Sequence, residues 1–107
     1  MRMQTRGAGP HPDVSVSGSV VTVGEVAVNC EERQDESAVM IDLRQDRGGP
    51  VTEGGEGRQV ASVYIPPRRY QEVATGETDD EGNEVVSREA VPLDPDQVLV
   101  TLWTIQR

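Results

Sequence analysis

The sequence predicts an all-β protein, a small antiparallel sandwich or partly open barrel of six to eight short strands. Three observations favour this class. Apolar residues, most of them valine, alternate with polar ones along several short segments, which is the period of a strand. Turn-forming residues separate these segments at intervals of about 8–12 residues, a spacing typical of sandwiches and barrels. No segment sustains the 3.6-residue period of a helix, so no long helix is expected.

The first predicted strands lie within residues 14–29. Valine and serine alternate over 14–17, and Gly18 marks a turn. The alternation then changes phase at Gly24, which predicts a bulge or a tight hairpin. The polar segment 31–37 is expected to be a loop or a short helical turn.

The next predicted strand covers residues 38–44 and has the pattern of a half-buried strand. An apolar face alternates there with a more polar one: Val39, Ile41 and Leu43 against Met40, Asp42 and Arg44.

The second half of the chain contains the remaining predicted strands. Residues 60–65 form one, which ends at a pair of prolines. Residues 70–75 and 84–91 are expected to pair as an antiparallel hairpin around the turn at 79–83, where glycine and asparagine suit the φ values of a hairpin loop. Residues 97–105 are apolar on both faces, which predicts a central or doubly covered strand.

A glycine-rich segment, residues 48–57, is too long for a hairpin turn, and loops of this length are often functional or disordered. It lacks the Gly-Lys-Ser/Thr ending of a phosphate loop, and the protein contains no lysine. Glu53 and Glu56 would repel phosphate. We expect a surface loop or a contact within an assembly.

Residues 1–13 are expected to be an extended Gly/Pro-rich arm, and residues 14–107 a single β domain. Glycines and prolines at Gly7, Gly9, Pro10 and Pro12 oppose regular structure. An arm without a core of its own becomes ordered by lying against its own domain or another molecule. We favour a neighbouring subunit.

The predicted core is thin. Hydrophobic residues make up 35% of the chain, phenylalanine is absent, and valine supplies most of the apolar surface. A valine removes less area from water than leucine or phenylalanine does, at about 25 cal/mol per Å². The domain is therefore expected to gain stability from a partner surface. An independent monomer of marginal stability is the alternative.

The net charge of −9 makes some partners unfavourable. A protein that binds a phosphate backbone needs a basic surface, so direct contact with nucleic acid or an anionic membrane is not expected. No apolar run approaches the length of about 18 residues that crosses a bilayer.

No catalytic site, metal site or cofactor is expected. Cys30 is a single cysteine beside two glutamates, and His11 is a single histidine. The acidic cluster around residues 77–84 does not match the spacing of an EF-hand, so we interpret it as a solvated hairpin tip rather than a calcium site. The carboxylates identify no glycosidase pair.

Interface residues are predicted at three places. The two prolines before Arg68, Arg69 and Tyr70 form a rigid turn that presents two guanidinium groups beside an aromatic ring, a combination common at interfaces. Ordinary solvated arginines are the alternative. The arm and the glycine loop supply the other candidates, and the full set is His11, Pro12, Gly48, Gly49, Pro50, Arg68, Arg69 and Tyr70.

In the general character of its whole sequence, without one specific motif, the chain resembles small virion proteins of tailed bacteriophages and archaeal tailed viruses. The residues that carry this resemblance are MRMQTRGAGPHP, VSVSGSVVTVGEVAVN and YIPPRRYQEVATGETDDEGNEVVSREAVPLDPDQVLVTLW.

The resemblance implies a non-enzymatic structural component of the virion, assembled in the host cytoplasm among other virion proteins and copies of itself. Capsid decoration is the favoured role, and head completion or a tail-associated role are the others. The alternative from another class is a soluble β-sandwich module that binds a peptide or carbohydrate through its loops. A small enzyme with carboxylate chemistry is a third, weaker hypothesis.

Overall fold

The computed structural model describes residues 1–46, 49–55 and 57–105. Within these ranges the chain forms ten strands, one helical turn and one short 3₁₀ turn. They are β1 (Arg2–Arg6), β2 (Val14–Ser17), β3 (Val20–Val23), β4 (Val26–Asn29), α1 (Cys30–Arg33), β5 (Val39–Gln45), β6 (Val51–Glu53), β7 (Arg58–Ile65), β8 (Tyr70–Thr78), β9 (Glu84–Ala90), a 3₁₀ turn at Pro95–Gln97, and β10 (Leu99–Trp103).

The all-β prediction is confirmed. The strands form a five-stranded sheet with the order β1-β10-β7-β5-β6, a three-stranded sheet with the order β2-β3-β4, and a two-stranded sheet of β8 and β9. Every pairing is antiparallel except that of β1 with β10. The two strands beyond the predicted six to eight are β1 and β6.

Two tight hairpins build the three-stranded sheet. Ser17 pairs with Val20, and Val23 pairs with Val26, so each turn contains two residues. The phase change at Gly24 is therefore a hairpin turn, one of the two forms expected there. Gly24 has a φ of +58°, which a residue with a side chain adopts at a cost.

The three-stranded and five-stranded sheets share one hydrophobic core, and together they form the body of the protein. The core consists of aliphatic side chains and one cysteine, with no aromatic ring among its buried members. They are Val21, Val23, Val28, Cys30, Ile41, Leu43, Val51, Val60, Ala61, Val63, Ile65, Val98, Val100 and Leu102. Valine is the most frequent residue of this core, as the composition predicts.

The alternation predicted for residues 38–44 is confirmed. On β5, Leu43 is fully buried and Ile41 is nearly so, whereas Met40 on the opposite face is 59% exposed. Strand β10 is also internal, as its apolar residues on both faces predict, because β1 and β7 lie on its two sides.

The segment expected to be an arm contributes a strand to the body. Residues 2–6 pair in parallel with β10, and the Arg2 main-chain N–H donates to the Val98 carbonyl at 2.9 Å. Farther along, the Ile105 N–H donates to the Pro10 carbonyl at 2.9 Å. Strand pairing uses main-chain groups and needs no apolar side chains, so a polar segment can join the sheet without an apolar pattern.

The glycine-rich segment also contains a strand. Within residues 48–57, β6 pairs with β5 at the edge of the five-stranded sheet. Glu53 on β6 accepts two hydrogen bonds from the Arg33 guanidinium, at 2.6 and 3.0 Å, which links α1 to this edge. Gly48 lies outside the described residues.

In the parts of the chain that the structure describes, no helix has the length and apolar character needed to cross a membrane.

Candidate functional site: the projecting hairpin

Strands β8 and β9 form a hairpin that stands apart from the body. The two strands pair with each other and with no other strand that the structure describes. No residue of the segment 70–90 belongs to the core. The molecule measures 68 × 22 × 19 Å along its principal axes. A strand rises about 3.3 Å per residue, so the nine residues of β8 span about 30 Å, a large part of the longest dimension.

The tip of the hairpin is ordered by its own hydrogen bonds. The Asp79 main-chain N–H donates to the Asn83 carbonyl at 2.8 Å, and the Asp79 carboxylate accepts from the N–H groups of Glu81 and Asn83. Gly82 takes a φ of +82°, a conformation that glycine adopts readily. The turn predicted at 79–83 is confirmed.

The ladder is irregular below the tip. The pairing is regular from Tyr70–Ala90 to Ala74–Val86 and resumes at Thr78–Glu84, so β8 has extra residues in between. The Thr75 hydroxyl donates to the Val85 carbonyl at 2.8 Å, and Gly76 has a positive φ. A bulge of this kind bends a ribbon and raises its twist.

Both faces of the hairpin carry apolar side chains at mid-length. The pairing, with the alternation along each strand, places Ala74 and Val86 on one face and Val73 and Val85 on the other. Val86 is 48% exposed, and Val73 and Val85 are half-buried. A ribbon that is covered on neither face leaves this apolar surface in contact with water.

The hairpin carries most of the net charge of the chain. Seven carboxylates and one arginine lie between residues 70 and 90, which gives a net charge of −6 out of −9 for the whole chain. Within the described residues, no three His, Cys, Asp or Glu side chains converge as metal ligands. The concentration of carboxylates makes the hairpin a strongly negative surface.

The base of the hairpin is fixed to the loop after α1. The Arg68 main-chain N–H donates to the Asp35 carbonyl at 2.8 Å, and the Arg68 guanidinium donates to the Gln34 carbonyl at 2.9 Å. One carboxylate oxygen of Glu36 accepts from the Tyr70 hydroxyl and lies 3.6 Å from Arg68 Nη1.

A cation–π contact completes the base. The Arg88 guanidinium carbon lies 4.5 Å from the centre of the Tyr70 ring. The base is thus oriented by side chains, and the ribbon projects from a defined place.

A shallow groove lies beside this base. Its volume is about 370 Å³, and it is lined by Glu31, Gln34, Arg68 and residues 90–93. Both polar groups and the apolar side chains of Val91 and Leu93 face it.

The interface residues predicted from sequence fall into three separate places. Arg68, Arg69 and Tyr70 lie at the hairpin base, where Arg68 and Tyr70 contact the chain's own loop and Arg69 is exposed. Gly49 and Pro50 precede β6. The Gly49 N–H donates to the Asp46 carbonyl, and the Gly49 carbonyl accepts from the Gln45 side-chain amide, both at 2.8 Å.

The remaining two predicted residues, His11 and Pro12, follow β1 near the opposite edge of the five-stranded sheet. The His11 Nε2 lies 3.2 Å from the Gly7 carbonyl, and Pro12 is buried within the chain itself. We therefore leave Pro12 out of any exposed contact surface. The structure does not bring the three groups together.

Sequence reasoning predicted the hairpin but not its separation from the body. One signal could have indicated it: the segment 70–90 has no continuous apolar face and holds most of the net negative charge. A strand pair whose few apolar residues are divided between its two faces has no continuous apolar face to bury against a core.

The chain matches no known protein family, and no curated protein or solved structure shows significant similarity to it.

Proposed function

We propose that this chain is a non-enzymatic structural subunit that is held in a larger assembly through its projecting hairpin, and that the assembly is a virion. The observation that carries the proposal is a two-stranded ribbon, separate from the core, with unpaired edges and apolar side chains on both faces. A two-stranded hairpin alone is marginally stable in water, and open strand edges favour pairing with other chains. A neighbouring subunit would cover the open strand edges and the exposed apolar side chains.

The charge supports contact with a protein rather than with a nucleic acid. A net charge of −6 on the hairpin repels phosphate and attracts a basic protein surface. Electrostatic complementarity of this kind directs a subunit to one partner surface and away from others.

The virion role follows the resemblance given above, and capsid decoration remains the favoured position. A decoration protein needs a compact domain and an extended element that reaches a neighbour. Here the extended element is the hairpin rather than residues 1–13, because residues 2–6 belong to the body.

The experiment uses a short-hairpin variant, in which residues 73–87 are replaced by Asn-Gly. The pairs Gln71–Glu89 and Glu72–Arg88 remain, and a two-residue turn suits the new loop. Because the core contains none of the deleted residues, we expect its thermal midpoint to match that of the full chain.

Incorporation is then measured by sedimentation of assembled particles. The full chain is expected to sediment with the particles and the short-hairpin variant to stay in the supernatant. Equal incorporation of the full chain and the short-hairpin variant would overturn the role of the hairpin. A full chain that sediments with no particle would overturn the virion proposal.

The second candidate is the soluble binding module, and the groove beside the hairpin base is the observation that favours it. Saturable binding of the full chain in a glycan or peptide array, lost on a Gln34→Ala substitution in the groove, would support the module. The structural proposal predicts no such binding.

A further inference from the structure

We infer that the hairpin of one copy binds the open edge of β1 in a second copy, so that the chain associates with itself head to tail. This inference rests on the proposed function and names the partner of the hairpin. It follows from the hydrogen-bonding state of β1, the charges on β1 and the charges on the other open edges.

The edge of β1 is free to accept another strand. β1 is the terminal strand of the five-stranded sheet. The Arg2 N–H donates toward β10, and successive residues of a parallel strand direct their N–H and C=O groups to opposite sides. The N–H and C=O groups of Met3 and Thr5 therefore point outward from the edge of the sheet. The five residues contain no proline and no register shift, so nothing in the strand blocks pairing.

Two exposed arginines flank this edge. Arg2 donates through Nε to the Asp96 main-chain oxygen at 3.1 Å, and the Arg6 guanidinium lies beside the side-chain amide of Gln4. Neither contact is to a carboxylate. Both guanidinium groups thus lie beside neutral groups of their own chain and are available to the carboxylates of a partner.

The charges on the strands indicate which strand binds at the edge of β1. A second β1 would place arginines close to arginines, and like charges across strands are unfavourable. The hairpin instead carries a net charge of −6, of which −3 lies on the turn and −3 on β8 and β9, whose outer edges are unpaired. Its shorter strand, β9, has seven residues and is long enough to cover the five of β1.

The other open edges of the body lack this complementarity. β6 has three residues and ends at Glu53, and β2 is uncharged and follows Asp13. β4 follows Glu25 and leads into the acidic first turn of α1. The acidic hairpin would be repelled by the acidic residues at β4 and β6 and would meet no positive charge on β2. The edge of β1, with its two arginines, is therefore the electrostatically favourable one.

Such a contact joins two different surfaces of the same chain. A heterologous contact closes into a ring or continues as a filament, depending on its rotation.

The test uses two variants, each defective in one surface. The Arg2→Glu/Arg6→Glu variant keeps the hairpin and alters the edge, whereas the short-hairpin variant keeps the edge and lacks most of the hairpin. In sedimentation velocity the full chain is expected to self-associate, and each variant alone to weaken that association by about tenfold or more. Mixed together, the two variants should form a 1:1 complex, because one intact hairpin meets one intact edge.

The absence of that complex would overturn the inference, and so would undiminished self-association of the Arg2→Glu/Arg6→Glu variant. The control is Arg58→Glu, which reverses an exposed arginine on β7, outside both β1 and the hairpin, and should leave the association intact. An equal loss in the control would show a general charge effect and would also overturn the inference.

A second variant tests the edge without a change in charge. Thr5→Pro removes an outward N–H while the pairing of Arg2, Gln4 and Arg6 with β10 remains. We expect a folded monomer with both arginines in place. Persistent self-association of the folded variant would contradict pairing at this edge.

Particle incorporation separates failure of this inference from failure of the proposed function. If the Arg2→Glu/Arg6→Glu variant is incorporated normally and the short-hairpin variant is not, the hairpin binds a different virion protein. Self-association is then the part that fails. If both variants are incorporated normally, the proposed function fails as well.

Discussion

Gly24 and Val51 touch across the two sheets of the body. A Cβ placed at Gly24 would lie 3.0 Å from the Val51 Cγ2, so the turn between β3 and β4 packs directly on β6. Two features therefore favour glycine at this position: the close contact with Val51, and a φ of +58° that is unfavourable for residues with a side chain.

The first prediction is that Gly24→Ala destabilises the fold by about 2 kcal/mol or more. About 1–2 kcal/mol comes from the left-handed backbone conformation, and crowding against Val51 adds to it. Urea denaturation measures the loss.

Gly18→Ala is the matched control for this substitution. Gly18 has the same φ of +58°, but a Cβ there meets nothing within 4 Å. We expect the control to lose about 1–2 kcal/mol, from the backbone conformation alone. Equal losses at Gly18 and Gly24 would contradict the contact with Val51.

The second prediction concerns the pH dependence of the Arg33–Glu53 ion pair. Hydrogen bonds from the Arg33 guanidinium lower the pKa of Glu53, and the same bonds raise the pKa of Arg33. The lowered pKa means that the folded state favours the charged carboxylate. The stabilisation is therefore fully present above the ordinary glutamate pKa of 4.5 and is lost as the pH falls through the lower pKa of the folded state.

The magnitude is small because both side chains are 43% exposed. A double-mutant cycle of Arg33→Gln and Glu53→Gln should give a coupling free energy of about 0.2–1 kcal/mol at neutral pH. The coupling should vanish in acid. A coupling that stays constant down to acid pH would show that the carboxylate charge is not responsible.

The third prediction concerns the anchoring of the hairpin base. Arg68→Ala removes the hydrogen bond to the Gln34 carbonyl and the ion pair with Glu36. Because the side chain is 34% exposed, we expect a cost of about 1 kcal/mol, less than for a buried charged hydrogen bond. Hydrogen exchange should accelerate along β8 and β9 more than in β7.

Arg69→Ala is the control for the anchor. Arg69 is the exposed neighbour of Arg68, and an exposed arginine is expected to change stability by less than about 0.5 kcal/mol. If the two substitutions accelerate exchange equally, the side chain of Arg68 does not hold the hairpin.

The fourth prediction is that the Cys30 thiol is unreactive in the folded protein. Cys30 is fully buried, and burial raises the pKa of its thiol. At mildly alkaline pH, labelling by Ellman's reagent should therefore be no faster than unfolding.

A Cys30→Ser/Ser15→Cys variant supplies the exposed comparison, because residue 15 is exposed on β2. Its thiol should react at once without denaturant. Equally fast labelling of Cys30 would show that α1 opens without global unfolding.

The sequence by itself determined the class and most strands. The alternation of apolar and polar residues predicted β2 and β5, because successive side chains of a strand point to opposite faces. Turn residues at Gly18, Gly24 and residues 79–83 predicted the hairpins, since their backbone conformations favour those residues.

Only the tertiary structure decided where β1 and β6 belong and that the hairpin leaves the body. β1 pairs through main-chain groups, which every residue except proline carries in full, so its side chains give no signal. The position of the hairpin depends on contacts of Arg68 and Tyr70 with residues more than thirty positions earlier. Local alternation records which side of a strand is buried, but not which strand or which loop lies beside it.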